Sequence, residues 1–394
     1  MTRVALLGVV LALGMPAAGP GQTAQVADPQ RQAALALEQQ GKNAEAEAAW
    51  RAYSKDHASS PEAYAHLGLL ESRQGHYKEA APLYRKALNL GPDVPGLRLN
   101  LGLALFKSGD LKEAIQEFSI VLKAQPDNQQ LNTLIGMAHY GLAEYGDAVP
   151  FLREAAAHYA QNLPLRLALA HSCLWSKQNQ CVLDVYKEIL ALDPDSAAAD
   201  MLAGEALDEM KDNEGSTRMF RAAVKANPKE PNAHFGLGYL LWTQKQYKEA
   251  ASEFQAELVN DRNHLQAMLY LADSDIQMNQ FEDARPLLEK LEQQGFSIPL
   301  LHLDLGIVYI EASRNEDALR ELTAAEKLTP DDVNVHWRLG RLYRAMGDKE
   351  KAKAEIDKAG TLTKAADDDL YKKIANGHPR PPEAQEPATA PPQQ

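Results

Sequence analysis

The chain has 394 residues, 45% of them hydrophobic, a formal net charge of −13 and two cysteines. That charge points away from nucleic acid and anionic membranes as partners, and two cysteines are too few for a disulfide-held scaffold. A length of this order would ordinarily require two or three globular domains, unless the chain is built from repeats.

At the N-terminus, Arg3 precedes an apolar stretch from Val4 to Met15 that is too short for a stable membrane-spanning helix. Small residues follow at Ala17, Ala18, Gly19, Gly21, Ala24 and Ala27. This is the pattern of an export signal over residues 1–26, cleaved between about residues 18 and 27. No cysteine follows it to carry a lipid anchor. The expectation is a periplasmic or secreted protein with no stable membrane span after cleavage; the alternative is an uncleaved segment that holds it at the membrane.

From Ala27 onward a period of 34 residues runs without insertion or deletion. Ten copies, over residues 27–360, start at Ala27, Pro61, Pro95, Gln129, Leu163, Ala197, Pro231, Leu265, Pro299 and Val333. The eighth place of each copy is small, as at Gly68, Gly102, Gly136, Gly204, Gly238, Gly306 and Gly340, and the twentieth is small in nearly all, as at Ala80, Ala114 and Ala250. Four residues after the twentieth comes a bulky group, Trp50, Tyr84, Phe118, Leu152, Tyr186, Phe220, Phe254, Leu288, Leu322 or Ile356. Glycine inside a helix costs about 1 kcal/mol relative to alanine. Its recurrence therefore signals two helices in close approach, with the bulky residue filling the space beside the contact.

Punctuation agrees with two antiparallel helices per copy. Pro92, Pro126, Pro194, Pro228 and Pro330 recur where a second helix would stop. Ser60 before Pro61 reads as an N-cap followed by an N1 proline. Gly109-Asp110-Leu111-Lys112-Glu113 reads as a turn glycine and a capping box. Ala160, Arg262 and Phe296 replace the terminal proline, and Lys177, Lys211 and Lys245 replace the turn glycine, so those joints are expected to be looser or set at another angle.

These residues resemble the tetratricopeptide repeat, a helix-turn-helix unit of the same period. Gly68, Gly75, Ala80, Tyr84, Ala87 and Pro92 match its signature in the second copy, and Gly102, Gly109, Ala114, Phe118 and Pro126 in the third. The resemblance implies an all-α, right-handed α-solenoid whose first helices line a concave groove that binds peptides or protein surfaces. It also implies that the second, fifth, sixth, ninth, twelfth and thirteenth places face that groove. In the middle copies these places hold Leu103, Phe106, Met137, Tyr140, Leu167, His171, Trp175, Phe235, Tyr239, Trp242, Leu269 and Tyr270. Such a stripe serves either as a recognition surface or as extra packing between repeats. Glu205, Asp208 and Glu209 give one charged cluster on the same side, and Trp337 with Arg338, Arg341 and Arg344 another. Each is either a solvated face or a docking point, for basic residues at the first and a carboxylate at the second. Of the lysines and asparagines with which one branch of the family clamps a terminal carboxylate, only Asn100 and Lys107 have counterparts here.

Cys173 and Cys181 flank the turn of the fifth copy and are either bridged or two buried thiols. After the repeats, residues 361–377 are expected to form a capping helix over the last copy, with Leu370 and Ile374 four apart. Residues 378–394 are expected to be a disordered tail, with six prolines from Pro379 onward.

Catalytic motifs are missing: no phosphate-binding loop, no zinc-protease pair, no haem site and no nucleophile elbow. Eleven histidines include no i, i+4 pair, and His234, His302 and His336 share one place but sit in separate repeats, too far apart to share a metal. The reading is a non-enzymatic scaffold without cofactor or metal that binds a peptide or helix of a partner protein. The alternative is a carrier or sensor that holds a glycan or apolar small molecule on the aromatic groove.

Overall fold

A computed structural model describes residues 28–91 and 96–377, with side chains as far as Asp369. The proposed export signal, Pro92, the start of the third copy at Pro95 and the proline-rich tail lie outside the described residues. Among them there are twenty α-helices and no strand. They are α1 Pro29–Gln39, α2 Asn43–Asp56, α3 Pro61–Arg73, α4 Tyr77–Leu90, α5 Leu97–Ser108, α6 Leu111–Ala124, α7 Gln129–Gly141, α8 Tyr145–His158, α9 Leu163–Trp175 and α10 Asn179–Leu190. The series continues with α11 Ala197–Glu209, α12 Asn213–Ala226, α13 Ala233–Thr243, α14 Tyr247–Asn260, α15 Leu265–Gln277, α16 Phe281–Gln293, α17 Pro299–Glu311, α18 Asn315–Leu328, α19 Val333–Ala345 and α20 Lys349–Gly377. Each copy is one hairpin, and every first helix begins at or within two residues of the start read from the sequence.

The helices fall into two compact units, residues 1–227 and 228–394. Within the first, α3 packs on α5, α7 on α9 and α9 on α11; within the second, α13 packs on α15, α15 on α17 and α17 on α19. Second helices pack on first helices and not comparably on one another. The first helices therefore form the inner row of each unit, and their free side is the groove face.

The close approach inside each hairpin is the one the small residues announce. A Cβ placed on Gly102 would stand 2.6 Å from Phe118, one on Gly238 2.8 Å from Phe254, and one on Gly306 2.6 Å from Leu322. Trp50, Tyr84, Phe118, Leu152, Phe254, Leu288 and Leu322 are fully buried, so the bulky place supplies the core. A second device staples the same hairpins: the fourth place pairs with a glutamate nineteen residues on, as Arg98 with Glu117 at 2.8 Å, His234 with Glu253 at 2.6 Å, His302 with Glu321 at 2.8 Å and His336 with Glu355 at 2.6 Å. The three in-phase histidines thus each serve their own repeat.

The joints without glycine do not differ from the rest. The turn residue has positive φ in all ten copies: Gly41, Gly75, Gly109 and Gly347, but also Ala143, Lys177, Lys211, Lys245, Asn279 and Ser313, with φ from 57° to 92°. The same six-residue backbone bond closes them, from His76 N to Glu71 O at 2.9 Å and from Gln178 N to Cys173 O at 2.8 Å. Helix packing on both sides over-determines the turn, so a side chain is held where its own preference costs about 1–2 kcal/mol. Ala143→Gly should raise stability by about 0.5–1 kcal/mol after the extra entropy of glycine in the unfolded chain is subtracted, and Gly75→Ala should lower it by a similar amount. Urea unfolding of the two variants beside the parent checks this; shifts of the reverse sign would refute the strain argument.

Two local expectations are corrected. Ser60 does cap α3, its Oγ accepting from Ala63 N at 3.3 Å, but Asp110 makes no capping box. Its carboxylate accepts instead from Ser108 Oγ at 2.7 Å, while Glu113 pairs with Arg85. Residues 361–377 form no separate capping helix; they prolong α20, and residues 363–369 are exposed. The place that carries proline in other copies holds Lys364 here, between Thr363 and Ala365, and Gly360 alone does not stop a helix.

Candidate functional site

In the first unit a cluster of four rings lines the inner row, three from first helices and one from the start of α8. Tyr140 on α7, His171 and Trp175 on α9, and Tyr145 at the start of α8 lie with centroids 5.5 Å apart for Tyr140 and His171, 5.7 Å for Tyr145 and His171, and 5.9 Å for Tyr145 and Trp175. Trp175 is 60% exposed. Its Nε1 donates to His171 Nε2 at 3.2 Å, and His171 Nδ1 is buried without a partner. Burial holds the His171 pKa below its ordinary value. Beside α9, α11 carries Glu205, Asp208 and Glu209. Lys177, just past the end of α9, pairs with Glu209. Glu205 is pushed up by its apolar surroundings and then by Glu209, although its side chain reaches water.

Behind this wall, Cys173 and Cys181 are bonded across the α9–α10 hairpin, with Cα atoms 5.8 Å apart. Arg153 Nη2 donates to Cys181 Sγ at 2.8 Å. The bridge anchors the helix that carries His171 and Trp175.

The second unit has its own aromatic cluster. Tyr239, Trp242 and Tyr270 stand 5.0–6.0 Å apart, and Phe235 joins through Tyr270 at 6.1 Å. Trp242 donates its Nε1–H to the buried carboxylate of Asp273. The start of α13, which carries Phe235, is held by buried Glu257, whose two oxygens accept from Asn232 N and Phe235 N, both at 3.2 Å. On α19, Trp337 is 50% exposed, Arg338 half-buried, and Arg341 and Arg344 exposed. Among the described residues none of these arginines has a carboxylate partner within ion-pair distance. Burial, then Arg341, lowers the pKa of Arg338, while Asp304 and Glu311 oppose the shift.

Not every predicted groove residue stays in the groove. Leu103 and Leu269 are buried in the core, because the neighbouring first helices close over them. Phe106 is half-buried against Phe118, centroids 6.4 Å apart, and so belongs to the wall more than to the surface. Sequence reasoning missed Tyr145 and Glu257, which stand on second helices outside the groove places, and Asp273 and Asp304, which hold the ninth and sixth places of their copies and differ from the other groove carboxylates in being buried. Two groups could offer three ligands to a metal, His139 with Glu144 and Asp147, and His336 with Glu326 and Glu355. Both nitrogens of His336 already meet oxygens, Glu355 at 2.6 Å and the carbonyl of Pro330 at 2.7 Å. In the other group His139 Nδ1 spends itself on Glu144 at 2.8 Å.

Models of the tetratricopeptide repeat match residues 72–138 and 309–374, residues 31–95 and 209–264, and residues 266–294. The chain belongs to the tetratricopeptide repeat family. Anaphase-promoting complex subunit 3 of Schizosaccharomyces pombe is 24% identical over 213 residues, 53% of this chain and 31% of that protein. The chain thus spans about a third of the length of that relative. Among solved structures, PilF of Pseudomonas aeruginosa is 18% identical over 57% of this chain and 99% of its own, with a TM-score of 0.48. A tetratricopeptide repeat protein of Parabacteroides merdae is 17% identical over 66% of this chain and 97% of its own, with a TM-score of 0.45. Tetratricopeptide repeat proteins generally mediate protein–protein interactions and are typically non-enzymatic. No helix among the described residues is long and apolar enough to cross a membrane.

Proposed function

We propose that this tetratricopeptide repeat protein is a non-enzymatic, exported scaffold that takes a segment of a partner protein along the inner row of first helices. One observation carries the reading. The indole of Trp175 stands 60% exposed on the inner row, braced by the rings of Tyr145 and His171, while the core of its hairpin is already filled by Val182, Val185 and Ile189. A large aromatic surface that is held rigid and left wet is what a hot-spot residue requires, because little entropy remains to be lost on binding. The apolar stretch from Val4 to Met15 supports export.

The test is affinity capture from the exported fraction with the parent and with a Trp175→Ala, Tyr239→Ala double variant whose circular dichroism is unchanged. Trp242 is left in place because Asp273 depends on its N–H. Proteins held by the parent and lost by the variant are the expected result. Equal retention by both would sink the groove reading.

A further inference from the structure

We propose that the wall around Trp175 receives an arginine side chain of the partner segment. The inference rests on the groove reading above and specifies what this stretch of groove takes. Its first support is the orientation of the indole. The Nε1–H of Trp175 is turned inward onto His171, so what remains open to a ligand is the π face. His171 Nε2 accepts that hydrogen bond, so the neutral ring carries its proton on Nδ1, which burial without a partner holds away from water. The protein therefore places no cation of its own against the exposed indole.

The second support is independent and lies on α11. The Lys177–Glu209 pair shows that the ends of α9 and α11 lie side by side. Glu205 and Asp208, on the turn of α11 before Glu209, have no cationic partner within ion-pair distance among the described residues. Three carboxylates and one lysine leave this part of the wall short of positive charge; burial first, and then the charge of Glu209, press the Glu205 carboxyl upward. An electron-rich ring face and uncompensated carboxylates on the neighbouring helix call for the same thing, a cation.

Geometry favours guanidinium over ammonium. Neighbouring helices stand about 8–10 Å apart, so a ligand on Trp175 must reach sideways to the α11 carboxylates. A planar guanidinium can stack on the indole and still direct N–H groups in its own plane toward a carboxylate, whereas an ammonium meets one or the other as a point charge. An acidic or phosphorylated side chain would meet like charge here.

The experiment uses the full chain, 15N-labelled, with the Trp175 indole resonance picked out from the four by Trp175→Phe. The probes are a blocked glycine peptide with one central arginine and the same peptide with citrulline, which keeps the shape and removes the charge. The arginine peptide should shift the Trp175 indole resonance saturably at millimolar concentration, at least about fivefold more tightly than the citrulline peptide. In a Glu205→Gln, Asp208→Asn variant that preference should disappear. Equal response to both peptides, no response to either, or a preference untouched by the double variant would overturn the proposal. Captured partners separate this failure from failure of the groove reading. A partner lost by Trp175→Ala but retained by Glu205→Gln, Asp208→Asn leaves the groove in use and the arginine site refuted.

Discussion

Phe254→Ala should destabilise the unit of residues 228–394 by about 3–5 kcal/mol, the usual loss for a fully buried phenylalanine. Phe254 has no exposed surface and fills the space that Gly238 leaves open. Its ring also lies 5.9 Å from both Phe235 and Tyr270, so the same side chain that closes the α13–α14 hairpin supports the aromatic wall of the groove. In a repeat array each unit leans on its neighbours, so the loss should spread to the adjoining repeats. Urea unfolding followed by far-ultraviolet circular dichroism measures it, with Val259→Ala on the outer face of the same helix as the control. Val259 is 80% exposed, and its truncation should change stability by less than about 0.5 kcal/mol. A loss at Phe254 no larger than that control would mean that the glycine–aromatic contact is not what holds the hairpin.

That contact was legible before any coordinates, because it depends on two places sixteen residues apart inside one period, and ten copies repeat the evidence. The same reasoning failed at the turns. Glycine at four of the ten announced the left-handed conformation and Asn279 tolerates it, but Ala143, Lys177, Lys211, Lys245 and Ser313 adopt it without being suited to it. Helix packing decided those turns, and local preference had no vote. The groove was legible in outline only. Periodicity placed Tyr140, His171 and Trp175 on one face, yet could not reveal that Tyr145, from a second helix, completes the cluster, or that the exposed indole would turn its N–H onto His171. It could not separate Leu269, which is buried, from Tyr270, which is half-exposed one residue later, since that depends on how closely the next first helix approaches. The carboxylates under the second groove, Asp273 and Asp304, hold groove places, but the period cannot tell that they are buried or that their partners come from neighbouring repeats.

Asp304 gives the last large effect. It sits on α17 with 1% of its surface exposed, and its Oδ2 has no hydrogen-bond partner. Burial first, then the charge of Asp273, push its carboxyl well above the usual carboxylate range, against the pull of Arg338. In the unfolded chain the same group ionises near about pH 4. Its pKa is therefore raised on folding, so the stabilising contribution is complete below the unfolded value and is lost as the pH rises toward the folded one. Two further carboxyls of this unit act in the same sense, Asp275, raised to about 6 by burial and then Asp283, and Asp273, raised by burial. Asp304→Asn keeps the shape and removes the titration. At pH 8 the variant should be more stable than the parent by at least about 1 kcal/mol, because a buried amide need neither hold a proton against the pH nor bury an unpaired charge. That advantage should shrink as the pH falls to 5, where the parent needs less work to keep its proton. Comparing the two chains at each pH cancels the titrating groups that do not interact with Asp304. Parallel stability curves for parent and variant between pH 5 and 8 would show that Asp304 does not carry the penalty its burial implies.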